Sequence, residues 1–178
     1  MSPMSNAIVA LVVIALMMTA ALTWSQTAYT SFDSVSQSLK QTVETTQEVA
    51  RTDITAIRAQ RNGSFVEVYV LNSGKVHLAQ FANWDVVIQY YDAGKTYHIS
   101  RLSYTSNSNP GDNQWTVAQI YSDSSLGPKE VYEPGILNPG EVVFIKARMS
   151  PAVGSKTTNM ATVATANGVA ASAQFTTG

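Results

Sequence analysis

The first 32 residues of the chain carry no acidic or basic side chain, and Asp33 is the first charged one. Residues 7–22 read AIVALVVIALMMTAAL, an apolar run that only Thr19 interrupts. Such a run is typical of a membrane span, a signal peptide core, or a helix surrounded by protein. A removed signal peptide is disfavoured, because MSPMSN before the run has no basic residue. As a span, the run would cover ~24 Å, slightly short of a ~30 Å hydrocarbon core.

The next segment, residues 24–58, contains no Gly and no Pro and keeps a helical period. Its apolar side chains recur at intervals of three, four or seven: Phe32, Val35, Leu39, Val43, Ala50, Ile54 and Ile57. Since Pro3 is tolerated in a first helical turn and Gly63 is the next breaker, the pattern predicts one helix from about residue 4 to about residue 59. A domain of about 115 residues cannot bury a rod ~80 Å long, so the helix needs other partners. The alternative is a membrane anchor followed by a solvent-exposed stalk.

Beyond Gly63 the period changes to two, which indicates strands. The β-branched and aromatic runs cover residues 65–71, 84–91, 97–104, 114–121, 141–148, 160–166 and 169–175. Turn signals separate them, and the last, Asn167-Gly168, is a strong two-residue hairpin signal. The fold class predicted is therefore α+β, with a long N-terminal hydrophobic α-helix over 1–60 and an antiparallel immunoglobulin-like β-sandwich over 61–178 that folds on its own.

Composition excludes several classes of function. Only 13% of the residues are charged, the net charge is -1, and no basic cluster occurs. The chain therefore has no positively charged segment that would attract nucleic acid or anionic lipid. The chain has no cysteine, which excludes a disulfide scaffold, a thiolate metal site and a thiol nucleophile.

Candidate catalytic chemistry is sparse, and the sequence predicts no enzyme and no cofactor. His77 and His98 stand twenty-one residues apart without a metal-binding pattern around them, which favours structural roles. No phosphate-binding glycine loop, dinucleotide fingerprint or nucleophile elbow is present. Four acidic loop residues offer oxygen ligands for calcium, but their spacing fits no recognised calcium loop: Asp112, Asp123, Glu130 and Glu133.

One glycosylation sequon occurs, Asn62-Gly63-Ser64. Asn and Gly are the usual residues of a helix C-terminal turn, and this position is where the helix is predicted to end. Asn62 is also a candidate N-glycan acceptor if the protein is exported.

The order of these features resembles an archaellin, the filament subunit of the archaellum in the type IV filament superfamily. The resemblance rests on MSNAIVALVVIALMMTAALTW, on its unbroken continuation into an amphipathic helix, and on the C-terminal β-sandwich. It implies that a prepilin-type peptidase removes a short basic leader, and that an assembly motor extracts the precursor from the cytoplasmic membrane. Bacterial type IV pilins usually carry Glu at the fifth mature position, whereas Ser5 stands here if Met1 is the first mature residue.

The resemblance implies a structural subunit that polymerises with identical copies into an extracellular filament for motility or adhesion, with β-domains on its surface. The residues predicted to form the filament core are Ile8, Val9, Leu11, Val12, Val13, Ile14, Leu16, Met17, Met18, Leu22 and Trp24. The sandwich is also similar to the membrane-anchored archaellum stator proteins, in the segments 68–74 and 137–144. A stator or surface-layer-binding protein is therefore the alternative, although such proteins need only a short anchor.

Overall fold

The computed structural model describes residues 3–178 and contains one long helix followed by strands. A single 3-10 turn, Phe81–Asn83, lies between the second and third strands. The elements are α1 (Pro3–Arg51), β1 (Ile54–Asn62), β2 (Phe65–Asn72), β3 (Asp85–Tyr91), β4 (Tyr97–Tyr104), β5 (Gln114–Tyr121), β6 (Val142–Arg148), β7 (Thr158–Ala164) and β8 (Ala170–Thr176). The α+β class is therefore confirmed, and the chain divides into two compact units, Met1–Thr46 and Gln47–Gly178.

The helix ends at Arg51, earlier than the sequence pattern predicts. The Thr52 hydroxyl donates to the Glu48 carbonyl at 2.8 Å, and the Asn167 amide donates to the Thr52 hydroxyl at 2.7 Å. The Arg51 carbonyl accepts the Lys75 N–H at 2.9 Å. The Lys75 bond satisfies a carbonyl that a continuing helix would have satisfied itself, and the Asn167 bond holds the residue after the helix, so residues distant in sequence end the helix.

The prediction that the helix continues to about residue 59 is wrong. Ile54–Asn62 form the strand β1, which pairs antiparallel with β2. Ile54 is buried in the domain core, whereas Ile57 lies at a β-bulge and is exposed. A bulge shifts the alternation of strand side chains by one residue. The spacing of Ile54 and Ile57 therefore resembles a helical period although the backbone is extended.

The seven strands predicted from the sequence are all present, and β1 is the eighth. They form one sheet in the order β1-β2-β6-β5-β4-β3-β7-β8. All neighbours are antiparallel except β4 and β5, which are parallel through Ser103 with Gln114 and Tyr104 with Trp115. The first and last strands lie against each other, so the sheet nearly closes into a sandwich.

The core of the β-domain is built from alternate residues of these strands. Val66, Val68 and Val70 point inward from β2, and Val86, Ile88 and Tyr90 from β3. Trp115 of β5 is fully buried, with its ring edge-on to Tyr104 at 5.0 Å. This inward alternation is the period of two that the sequence displays.

Two hairpin turns use glycine in the left-handed region. Gly63 (φ 59°) and Ser64 connect β1 to β2, so the Asn-Gly pair interpreted from sequence as a helix C-terminal turn lies in a hairpin. At the β7–β8 turn, the Gly168 N–H donates to the Thr165 carbonyl, and the Thr165 N–H donates to the Val169 carbonyl. The loop therefore has three residues rather than the predicted two, and Gly168 takes the left-handed position.

Candidate assembly surface

The predicted filament-core residues all lie on α1 and are exposed, between 44% for Val13 and 82% for Trp24. The helix forms because the segment has strong helix formers and no breaker between Pro3 and Arg51. The apolar side chains occur all round the helix up to Leu22, since consecutive residues such as Leu11, Val12 and Val13 project about 100° apart. No side of this segment is a polar, water-facing side.

Hydroxyl groups within and after the apolar run are satisfied by the helix itself. Thr19 donates to the Ala15 carbonyl at 3.1 Å, and Thr23 donates to the Thr19 carbonyl at 2.6 Å. Thr27 and Thr30 repeat this bond to the residue four positions earlier. A hydroxyl that donates to its own helix needs no hydrogen-bond partner outside it, so these threonines are compatible with apolar surroundings. From sequence alone, Thr19 counts only as an interruption.

The helix becomes amphipathic after residue 32. Asp33, Lys40 and Glu44 project within an arc of about 40°, calculated at 100° per residue. Phe32, Val35, Leu39 and Val43 project within a different arc of about 80°, centred about 120° from the charged one, and all four are exposed. The width of apolar surface therefore decreases along the helix, as the sequence pattern predicts.

The helix passes the length and composition test for a membrane span. The segment Asn6–Arg51 contains an apolar window with mean hydropathy 2.4, and none of that window is buried. A signal sequence or the core helix of a soluble protein has the same length and composition.

The four acidic residues considered as calcium ligands have other partners. Asp112 accepts from Arg148 Nε at 3.1 Å, Asp123 accepts from the Ser125 N–H at 2.8 Å, and Glu133 accepts from Asn138 at 3.1 Å. Glu130 accepts the N–H groups of Tyr132 and Glu133, and these bonds lower the pKa of its carboxyl. Across residues 3–178, no three His, Asp or Glu side chains are grouped so that they could hold a metal ion.

The two histidines lie in different hydrogen-bonded pairs. His77 Nδ1 is 2.6 Å from Asn138 Oδ1, and His98 Nε2 is 2.9 Å from Asp92 Oδ2. The bond from His98, followed by the Thr96 N–H, lowers the pKa of the Asp92 carboxyl. Asp92 holds the β3–β4 turn in this way.

Asn62 is exposed beside the β1–β2 turn. Its Nδ2, the atom to which a glycan would be attached, donates to Glu67 Oε1 at 2.8 Å. Glu67 also accepts from Gln60 at 2.7 Å. The acceptor amide is therefore at the surface and is held in place by one carboxylate.

No family model and no curated protein sequence matches the chain. Among solved structures it is similar to the archaellum periplasmic stator protein FlaG from Sulfolobus acidocaldarius, with 22% identity, a TM-score of 0.49, and coverage of 70% of this chain and 99% of that one. It is also similar to archaeal flagellin FlaB1 from Methanocaldococcus jannaschii, with 16% identity, a TM-score of 0.47, and coverage of 71% and 90%.

The archaeal flagellum of Methanospirillum hungatei strain JF1 matches along 99% of this chain and 94% of that chain, with 14% identity and a TM-score of 0.46. The chain is thus similar in structure both to an archaellum stator protein and to archaeal flagellins. Likeness of this degree assigns no role to the chain.

Proposed function

We propose that the chain is a structural subunit that polymerises with identical copies into an extracellular, archaellum-like filament for motility or adhesion. The observation that carries the proposal is α1, a helix of 49 residues. Its apolar residues in the first half are exposed on every side. In the proposed filament, helices of neighbouring copies pack in the core and the β-domains form the surface.

The energetics support packing against other helices. Burying roughly ten large aliphatic side chains would contribute on the order of 20 kcal/mol relative to water. The gain relative to lipid is much smaller, because lipid tails are as apolar as leucine. Extraction from the membrane therefore requires an assembly motor, and a finished filament is held by the cost of exposing its helices to water.

Small side chains support close packing of these helices. Ala7, Ala10, Ala15, Ala20 and Ala21 lie among the larger residues of the run. Small residues allow neighbouring backbones to approach, which increases dispersion contacts where no hydrophobic driving force exists. A contact between different faces of identical copies does not close on itself, so it generates an open helical polymer.

The second candidate is a membrane-anchored stator or surface-layer-binding protein, and the finding that favours it is the span-like composition of α1. Negative-stain electron microscopy of the full chain, expressed with its assembly machinery, separates the two proposals. The filament proposal expects long filaments. Detergent-soluble particles without filaments would favour the anchored protein.

A substitution pair at Val13 tests the core of the filament proposal. Val13→Asp places a carboxylate where the first 32 residues offer no cationic partner, and an Asp at the centre of a membrane helix costs about 2.5–3.5 kcal/mol. Because every subunit suffers this penalty, filaments should be lost. Val13→Ile keeps the site apolar, so filaments should persist with at most about 1–3 kcal/mol of packing strain. Normal filaments from Val13→Asp would contradict the buried-helix proposal.

Glycosylation of Asn62 is a separate proposal, supported by the exposure of the side chain beside the turn. Protein from the native source should show excess mass on the peptide that contains Asn62. Ser64→Ala removes the sequon and leaves Gly63 unchanged, so the excess mass should disappear. An unmodified native peptide would remove this proposal without affecting the filament proposal.

A further inference from the structure

Strand β4 is paired fully on one side only. Tyr97–Leu102 of β4 pair with β3, but on the other side β4 meets β5 only through Ser103 and Tyr104. The N–H groups of Ser103 and Thr105 donate to that second side, to Asn113 and Trp115. Alternate residues of a strand direct their N–H and C=O groups to the same side. Tyr97, Ile99 and Arg101 therefore present theirs to a side where, within residues 3–178, no strand pairs with them.

Other sheet margins in the domain have neighbours along part of their length. A bridge between Tyr121 and Lys129, together with the Glu130 N–H donating to the Ile120 carbonyl at 2.9 Å, covers the C-terminal end of the outer side of β5. Strands β1 and β8 lie against each other. The segment 97–101 of β4, which we term the open edge, is left without such a cover among the described residues.

The open edge has few of the features with which proteins usually prevent pairing, because its one permanent charge is Arg101, whose Nε donates to Asp85 Oδ1 at 2.8 Å. It contains no Pro and no Lys, and its register with β3 has no bulge. Its outward side chains include Tyr97, 48% exposed, and Ile99, 65% exposed. A regular, exposed edge whose charge already has a partner is a template for an additional strand.

We infer that the open edge pairs antiparallel with the open edge of a second copy of this chain, centred on Ile99. In this register Ile99 lies opposite Ile99 of the second copy, and Tyr97 lies opposite Arg101 of the second copy. The aliphatic pair buries apolar surface, and the Arg101 guanidinium, which donates to Asp85 on its own chain, can lie against the tyrosine ring with its face. The pairing adds about six backbone hydrogen bonds, because each of three paired positions exchanges two.

Neighbouring registers are worse. Moving the pairing toward the turn places Lys95 opposite Arg101, and like charges directly opposite each other are destabilising. Moving it the other way places Tyr97 opposite Ser103, whose N–H already donates to Asn113 at 3.1 Å. The register centred on Ile99 is the one that uses every free group of the open edge without opposing like charges.

This contact is two-fold symmetric, whereas subunits of a single polar filament are related by a screw operation. The pairing therefore joins copies from two filaments, or two anchored copies. It goes beyond the proposed function and does not rest on it.

The test uses thiol cross-linking of the full chain in detergent, since the chain has no cysteine. Single cysteines are introduced as Tyr97→Cys, Ile99→Cys and Arg101→Cys, and each sample is treated with a short bismaleimide. Ile99→Cys should form cross-linked dimer at roughly tenfold the yield of the exposed control Gln174→Cys on β8, because paired thiols have a high effective concentration. Tyr97→Cys alone should stay near the control yield, whereas an equal mixture of Tyr97→Cys and Arg101→Cys should cross-link strongly.

A blocking variant completes the test. Ile99→Lys places two like charges opposite each other at the centre of the pairing, so it should return the mixed cross-link to the control yield while near-ultraviolet circular dichroism stays native. The inference would be overturned if the yield of cross-linked dimer from Ile99→Cys were no higher than the yield from Gln174→Cys. Equal self-cross-linking by Tyr97→Cys, or an unchanged mixed cross-link with Ile99→Lys, would overturn it as well.

Discussion

Two valines show how differently the two regions of this molecule use apolar residues. Val163 in β7 is fully buried, at 0% exposed, whereas Val13 in α1 is 44% exposed. The β-domain buries its apolar side chains within the chain, where alternate residues of the strands point into one core. Between residues 4 and 32, every apolar side chain that the structure describes is exposed. The β-domain therefore has a core of its own, and the helix requires other molecules, lipid or protein, as its surroundings.

The strongest test of this contrast is where the β-domain begins. A chain that starts at Gln47 keeps β1 and the bonds that end the helix, so it should fold in water without detergent. A chain that starts at Arg61, the boundary predicted from sequence, loses Ile54 and the partner strand of β2. We expect it to be unfolded or aggregated, since β2 then presents an unpaired edge. Circular dichroism and size-exclusion chromatography of both fragments measure the difference, and equal folding would show β1 to be dispensable.

The two valines themselves give the next largest difference. Val163→Ala leaves a cavity in the core and should lower the free energy of unfolding of the β-domain by about 2–3 kcal/mol. Val13→Ala removes the same atoms from an exposed position and should change that free energy by less than about 0.5 kcal/mol. Urea denaturation followed by Trp fluorescence reports both values. If both variants lost a similar amount of unfolding free energy, the β-domain would not be stabilised independently of the helix.

Gly74 tests how closely the chain after β2 must pack against the backbone at the C-terminal end of the helix. A Cβ at this position would lie 2.5 Å from the Asp53 nitrogen and 2.8 Å from the Arg51 carbonyl oxygen. Both are backbone atoms that cannot rotate away, so Gly74→Ala should lower the free energy of unfolding by about 1–3 kcal/mol. The control is Gly178→Ala, where nothing lies within 4 Å of the added atom. An unchanged melting temperature in Gly74→Ala would show that this close approach is not needed.

The smallest expected effect concerns pH. The folded domain lowers the pKa of Asp92 below its ordinary 3.8, so the stabilisation is present above about pH 4 and is lost as the pH falls through the folded pKa. Asp92→Asn should therefore lose less stability than the unchanged chain between pH 5 and 2, a range of about three units around the ordinary value. Melting temperatures across this range measure it. Parallel curves for the two proteins would exclude a role for Asp92.

Much of the architecture could be predicted from local patterns. The helix and seven of the strands follow from side-chain period, because a side chain's direction depends on its own backbone conformation. The filament-core residues follow from the uncharged apolar run and not from a period, and their role stays a prediction that the Val13 variants test. The acidic loop residues were harder to interpret, since only the folded loops show that Glu130 accepts backbone N–H groups instead of standing free.

The sequence by itself determined that an uncharged apolar helix precedes a β-domain, because charge, breakers and period are local properties of the chain. Tertiary structure decided where the helix ends, since Asn167 and Lys75 supply bonds that no neighbour in sequence provides. It also decided the parallel contact between β4 and β5, and the open edge that this short contact leaves along β4. Pairing of strands depends on residues far apart in the chain, and their competition for the same backbone groups is resolved only when the whole sheet forms.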